Sequence, residues 1–233
     1  DTRNLILLLP LKDDNPISSF PFVTIGIILA NGFIFYHQLT IDGAASQRFV
    51  YQWSAIPYQI THGEVIHALP VIPLPLTLFS SMFLHGGFLH LFGNMLYLWI
   101  FGNNIEDTLG HFRFLLFYLV CGLSAGTAQV LSDPNSTIPM IGASGAIGGI
   151  LGAYLLLFPS ARILTLIFIF IFIKMVRIPA LIVLGFWFLI QLLNVGGGAI
   201  SNVAFFAHIG GFLSGLVLVK LFQPQSAVRR QRR

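Results

Sequence analysis

Long apolar runs separated by short polar connections dominate this chain, and they set the first prediction. The runs lie near 20–38, 80–101, 113–131, 144–158, 178–194 and 202–222, and a helix needs about 20 mainly apolar residues to cross the hydrocarbon core. They predict an all-α membrane protein with six transmembrane helices in one bundle. Its parts are an N-terminal segment at 1–19, a membrane core at 20–222 and a basic tail at 223–233. Another apolar stretch, Ile163 to Ile173, reads ILTLIFIFIFI. As a helix it would reach only about 16 Å, roughly half the hydrocarbon thickness. With Arg162 before it and Lys174, Arg177 and Pro179 after it, it is expected to be an interfacial or re-entrant hairpin that does not cross.

Composition agrees with the pattern. The chain is 56% hydrophobic and 9% charged, with a mean hydropathy of +0.85. An ordinary water-soluble surface cannot be built from such a chain. The single cysteine, Cys121, falls in the third run and is expected to be a small packing residue.

Charge adds an orientation. With six spans, Arg3, Lys12, Arg113, Arg162, Lys174, Arg177, Lys220 and the four arginines of the tail share one side. Of the 12 basic residues only Arg48 falls on the other. The positive-inside rule then places both termini in the cytoplasm. The net charge of +4 is accounted for by this asymmetry and by anionic lipid near the tail. Basic residues interleaved with exposed aromatics are missing, so nucleic acid is not expected as a partner.

Polar residues in lipid-spanning segments are costly and call for a partner or a task. Ser144 opens the fourth run, His208 lies early in the sixth, and His85, His90 and Asn94 lie early in the second. All are expected in the outer half of the bilayer. At about 100° per helical residue, His90 and Asn94 share a face, whereas His85 is expected to point well away from both and to hold the neighbouring loop. Ser144, Gly148 and Gly152 form one stripe of small residues, and Gly211 and Gly215 follow His208 in another. Such stripes let helix backbones approach closely, which would bring the serine and the imidazole together at one depth.

Gly142-Ala143-Ser144-Gly145, Ala207-His208-Ile209-Gly210-Gly211 with Gly215, and the series His85, His90, Asn94 resemble the signature of the rhomboid intramembrane serine proteases. The likeness extends to Gly102-Asn103-Asn104-Ile105-Glu106-Asp107 and to the segment from Trp187 to Gln191. It implies the six-helix prokaryotic type of that fold, with Ser144 as nucleophile and His208 as general base. His90, Asn94 and the Ser144 N–H would form the oxyanion hole. Gly142, Gly145, Gly211, Gly215 and His85 would be structural neighbours of the site. The first external loop, about 40–79, would be a membrane-embedded structure flanking it. One departure is visible: where some members carry an aromatic residue four positions after the nucleophile, this chain has Gly148, which leaves open how His208 is held.

The chemistry suits these residue types. A serine hydroxyl becomes a nucleophile when a neutral imidazole takes its proton. Glu106 and Asp107 fall at the cytoplasmic end and Asp133 in an external loop, so a Ser–His dyad is expected rather than a triad. At a helix N-terminus, free N–H groups favour a developing oxyanion. No metal or other cofactor is expected, since no histidine begins an HExxH pattern. Substrates would be transmembrane segments of other proteins entering laterally, with Phe186, Trp187 and Phe188 as candidates for a side gate. The rival from another class is a polytopic transporter or a substrate-binding membrane protein with a polar buried site. A transporter predicts an inverted repeat between the two halves, and none is visible.

Overall fold

A computed structural model describes residues 6–169, 172–196 and 203–224. The described helices are α1 (Phe22–Thr40), α2 (Gly43–Trp53), α3 (Pro57–His62), α4 (Thr77–Ser80), α5 (Phe88–Tyr97), α6 (Asn103–Leu109), α7 (His111–Ser132), α8 (Ser144–Leu157), α9 (Ala180–Gly196) and α10 (Phe205–Phe222). A π turn over Leu98–Gly102 joins α5 to α6. Among the described residues α1, α7 and α10 are each long and apolar enough to cross a membrane. A bent pair, Leu74–Phe83 with Phe88–Leu109, passes the same test when its two arms are taken together, and α8 and α9 are shorter apolar helices. These six segments overlap the six apolar runs, the second of them as a broken helix rather than a continuous one, and the chain is a multi-pass membrane protein with a helical bundle.

The bundle is built around α8. Every residue from Gly145 to Tyr154 is buried, as expected for a helix that is apolar on all sides. Its neighbours α7 and α10 approach so closely that side chains are excluded at the contacts. A Cβ on Gly211 would overlap the Gly145 carbonyl, one on Gly215 the Gly149 carbonyl, and one on Gly152 the Phe212 carbonyl. On the α7 side, a Cβ on Gly149 would meet Cys121, and one on Gly145 would lie 2.7 Å from the Ala125 methyl. Cys121 is fully buried at this seam. The helix ends where Pro159 follows, because the residue before a proline disfavours helical geometry.

The segment expected as an interfacial or re-entrant hairpin falls in two paired strands, which the sequence reading did not specify, with a third partner the apolar pattern did not reveal. Strands β2 (Arg162–Ile169) and β3 (Phe172–Pro179) pair antiparallel, and β1 (Ile6–Asp13) pairs antiparallel with β2, giving the order β1-β2-β3. Pro10 is accommodated because β1 is an edge strand, with a register shift between Pro10 and Lys12. One sheet face, carrying Asp13, Ile163 and Thr165, is buried. This sheet is an addition to the all-α bundle.

Two polar clusters tie the bundle together at the end away from Ser144. Asp13 accepts hydrogen bonds from Tyr154 Oη (2.8 Å) and Asn104 Nδ2 (2.7 Å), fastening β1 to α8 and α6. Glu106 accepts from the backbone N–H groups of Val23 (2.9 Å) and Thr24 (2.8 Å) and from Thr24 Oγ1 (2.7 Å). A carboxylate there satisfies N–H groups that the first turn of α1 leaves free. At the Ser144 end the loop after α1 is structured. Ala55 and Met140 exchange two backbone hydrogen bonds, and Tyr58 N–H donates to Ser136 O at 2.9 Å. The loop is thereby fastened to the connection that precedes Ser144.

Candidate active site

Ser144 is the first residue of α8 and is half-buried. The backbone leading to it is fixed by Gly142, whose φ of +118° lies in a region that side chains rarely adopt. Gly142 N–H donates to Ser81 O at 2.9 Å. The helix then begins at once, with Ile147 N–H bonded to Ala143 O at 3.0 Å. The N–H groups of Ser144 and its successor lie in the first turn, where no carbonyl of the same helix serves them.

His208 lies in the first turns of α10, and its Nε2 is 2.8 Å from Ser144 Oγ. The glycine contacts described above make that approach possible: a Cβ on Gly148 would lie 3.0 Å from the His208 carbonyl oxygen. The other imidazole nitrogen, Nδ1, is 2.8 Å from Gln191 Oε1 on α9. Gln191 Nε2 in turn donates to Trp187 O at 3.0 Å. The Trp187 ring lies 5.8 Å from the imidazole between centroids, inclined by 39°. Phe205 stands edge-on at 6.3 Å. The N-terminus of α10 is held from α7, where Gln129 Oε1 accepts from Ala207 N–H at 3.2 Å.

The second-span residues His85, His90 and Asn94 are not arranged as a single helix would set them. They do not share one continuous helix, because the chain bends by 85° between Phe83 and Phe88 and α5 begins only at Phe88. The 100° rule therefore does not carry back to His85. Instead of pointing away from its neighbours, His85 is buried against both. Its ring is 5.0 Å from that of His90, and its Nε2 accepts from Asn94 Nδ2 at 3.0 Å. The bend is held from α1: Gln38 Oε1 accepts from His85 N–H (3.1 Å), and Gln38 Nε2 donates to His85 O (3.2 Å).

His90 and Asn94 do come to one place, beside Gly142. A Cβ there would lie 2.7 Å from His90 Nε2 and 3.7 Å from Asn94 Nδ2. His90 Nδ1 accepts from Gly86 N–H at 3.3 Å. A neutral imidazole with Nδ1 accepting carries its proton on Nε2, the nitrogen facing Gly142. The second amide hydrogen of Asn94 is not used by His85. The site thus combines a hydroxyl, an imidazole placed to receive its proton, and N–H donors near a helix N-terminus, the groups that acyl transfer requires.

Of the aromatic residues considered for a gate, Phe188 stacks on Phe212 at 4.4 Å and Trp187 lies 6.1 Å from the same ring. Both pack against the core and are half-buried, whereas Phe186 is exposed. Sequence reasoning assigned no task to Gln38, Gln129 or Gln191. The signal was available, since each is an amide in or beside an apolar helix and such groups require partners.

Residues 75–225 match the family known as the Rhomboid domain. RHOMBOID-like protein 5 of Arabidopsis thaliana is 37% identical over 150 residues, covering 64% of this chain and 45% of that protein. Rhomboid protease GluP of Bacillus subtilis (strain 168) is 34% identical over 139 residues, covering 59% and 24%. Rhomboid protein 1, mitochondrial, of Saccharomyces cerevisiae is 30% identical over 167 residues, covering 68% and 45%. The aligned part of this chain thus spans less than half the length of each of these relatives. The domain match takes in the bent pair, α7 to α10 and the sheet hairpin, and it covers well over half of the 233 residues. This chain belongs to the rhomboid family.

Proposed function

We propose that this chain is an intramembrane serine endopeptidase that cleaves a peptide bond in or near the transmembrane segment of a membrane-protein substrate. The observation that carries the reading is the 2.8 Å contact between Ser144 Oγ and His208 Nε2. Ser144 Oγ attacks the scissile carbonyl carbon while its proton passes to His208 Nε2, and the carbonyl π pair moves to oxygen. The oxyanion is met by the Ser144 N–H, by His90 Nε2–H and by the free amide hydrogen of Asn94. On collapse the C–N bond breaks, and His208 returns the proton to the departing amine. Water then attacks the acyl-enzyme with His208 again as base, releasing the acid and restoring Ser144.

Substrate arrives laterally from the bilayer, and the partners are membrane-protein segments and lipid. The core at 20–222 carries the chemistry, the segment 1–19 and the basic tail 223–233 flank it in the cytoplasm, and the site opens toward the external side of a prokaryotic cell membrane. The basic residues predicted to share the tail's side support this orientation. Residues 225–233 of the tail lie outside the described residues.

The deciding experiment combines a fluorophosphonate probe with a single-span reporter. Native protein is expected to label and to cleave, and both Ser144→Ala and His208→Ala should do neither while remaining folded in detergent. Cleavage that survives Ser144→Ala would refute the protease, and failure of the native protein to label would favour a binding or transport role.

A further inference from the structure

We infer that Gln191 is the positioning residue of this site, a neutral amide that fixes the tautomer and rotamer of His208, an inference that rests on reading Ser144 and His208 as nucleophile and base. Gln191 is buried in the middle of a helix, ALIVLGFWFLIQLLNVG, whose one other polar residue, Asn194, is partly exposed nearer its end. An amide in such surroundings costs several kcal/mol unless its hydrogen bonds are made. Both ends are satisfied here, and the way they are satisfied carries the information.

The amide orientation is set by the backbone. Gln191 Nε2 lies 3.0 Å from Trp187 O, a carbonyl that can only accept. The opposite orientation would set two acceptor oxygens against each other. Gln191 Oε1 therefore faces His208 Nδ1 at 2.8 Å. An amide oxygen also only accepts, so Nδ1 carries the imidazole proton and Nε2 presents its lone pair to Ser144 Oγ at 2.8 Å. Without this acceptor the imidazole is free to protonate Nε2, and that tautomer cannot take a proton from serine. The relay crosses three helices, from Trp187 O through Gln191 on α9 and His208 on α10 to Ser144 on α8. It also answers the question posed by Gly148: Trp187, from the same helix as Gln191, lies beside the imidazole.

A neutral acceptor has a chemical consequence. It orients the imidazole and accepts a stronger hydrogen bond once the ring is protonated, but it brings no carboxylate into the bundle, where an unpaired charge is expensive. Its contribution is selective for the step in which His208 is charged. Loss of the acceptor therefore lowers kcat rather than raising KM.

The test uses full-length protein in detergent with ¹⁵N-labelled histidine, together with single-span reporter kinetics. In the native protein His208 is expected as the Nδ1–H tautomer. Gln191→Met, similar in length but without an acceptor at that position, should lose that tautomer preference. Its kcat should fall about 10- to 100-fold, the size of a hydrogen bond to a charged group, with KM within about twofold. Gln191→Glu, which as the neutral acid keeps a donor for Trp187 O and an acceptor for His208 Nδ1, should retain more activity than Gln191→Met. A native Nε2–H tautomer, or native kcat in a folded Gln191→Met protein, would overturn the assignment of Gln191. If Gln191→Met does not fold, the native tautomer decides. If the native protein neither labels nor cleaves, the protease reading fails, and the tautomer still reports on Gln191 separately.

Discussion

Gly142 leaves room for His90 that no other residue could leave: a Cβ on Gly142 would lie 2.7 Å from His90 Nε2, and the φ of +118° is already unfavourable for a side chain. Gly142→Ala must therefore strain the backbone, displace His90, or both. The expected result is a stability loss of about 1–2 kcal/mol and a fall in kcat approaching the 10²–10³-fold typical of a lost oxyanion donor. Steady-state kinetics beside a melting curve check this, and native kinetics in the variant would mean that His90 takes no part in the reaction.

Asn94 and His85 are expected to be coupled, because Asn94 Nδ2 donates to His85 Nε2. Asn94→Ala should lower kcat by about 10²–10³ as a missing oxyanion donor. His85→Ala, which removes the acceptor orienting Asn94 and the ring beside His90 but no oxyanion donor, should cost less. The double variant should then lose less than the product of the two single effects. Independent, multiplicative effects in the four-protein cycle would show that the Asn94–His85 bond is not used.

The glycines of the bundle are predicted to fall into two classes. On Gly215 a methyl would overlap the Gly149 carbonyl, whereas at Gly26 and Gly32 in α1 nothing lies within 4 Å of a new Cβ. Gly215→Ala should destabilise by about 1–3 kcal/mol, the usual cost of overpacking, and lower Ser144 labelling by separating α8 from α10. Gly26→Ala and Gly32→Ala should be neutral or raise stability by about 0.5–1 kcal/mol, the ordinary helical preference for alanine. Thermal denaturation in detergent distinguishes them, and equal losses at all positions would refute the contact-based account.

Asp13 should make stability depend on pH. Its burial raises the carboxyl above the ordinary value of 3.8, and the hydrogen bonds from Tyr154 and Asn104 offset part of that rise. The folded protein thus holds this proton more tightly than the unfolded chain does. The associated stability is fully present below about 3.8 and is lost as pH rises through the higher folded value. Asp13→Asn should flatten that part of the melting temperature–pH curve. An unchanged curve would mean that Asp13 is not the group responsible.

Much of this architecture was legible because hydrocarbon imposes length and polarity rules that a linear sequence carries openly. Six apolar runs mark the helices, and the serine and histidine beside glycine stripes are conspicuous in such surroundings. The sheet was only half legible: the charged flanks of 163–173 indicate a hairpin, but pairing of β2 with Ile6–Asp13 joins segments some 150 residues apart. His85 was misjudged because angular periodicity holds only within one helix, and nothing in the apolar pattern marks the bend before Phe88. The task of Gln191 was not legible, since hydropathy records that an amide is present but not which atom it faces.

Gln38 gives the bend before Phe88 a wider meaning. A break in a helix leaves backbone N–H and C=O groups that hydrocarbon cannot solvate, and at His85 both are taken up by one side-chain amide from α1. That amide imitates the edge of a neighbouring strand, offering one acceptor and one donor to a single residue. The first span contributes no reacting atom, yet the turn that seats His85 beside Asn94 borrows its hydrogen bonds from there, so the chemical end of the protein is completed by a helix outside the catalytic pair.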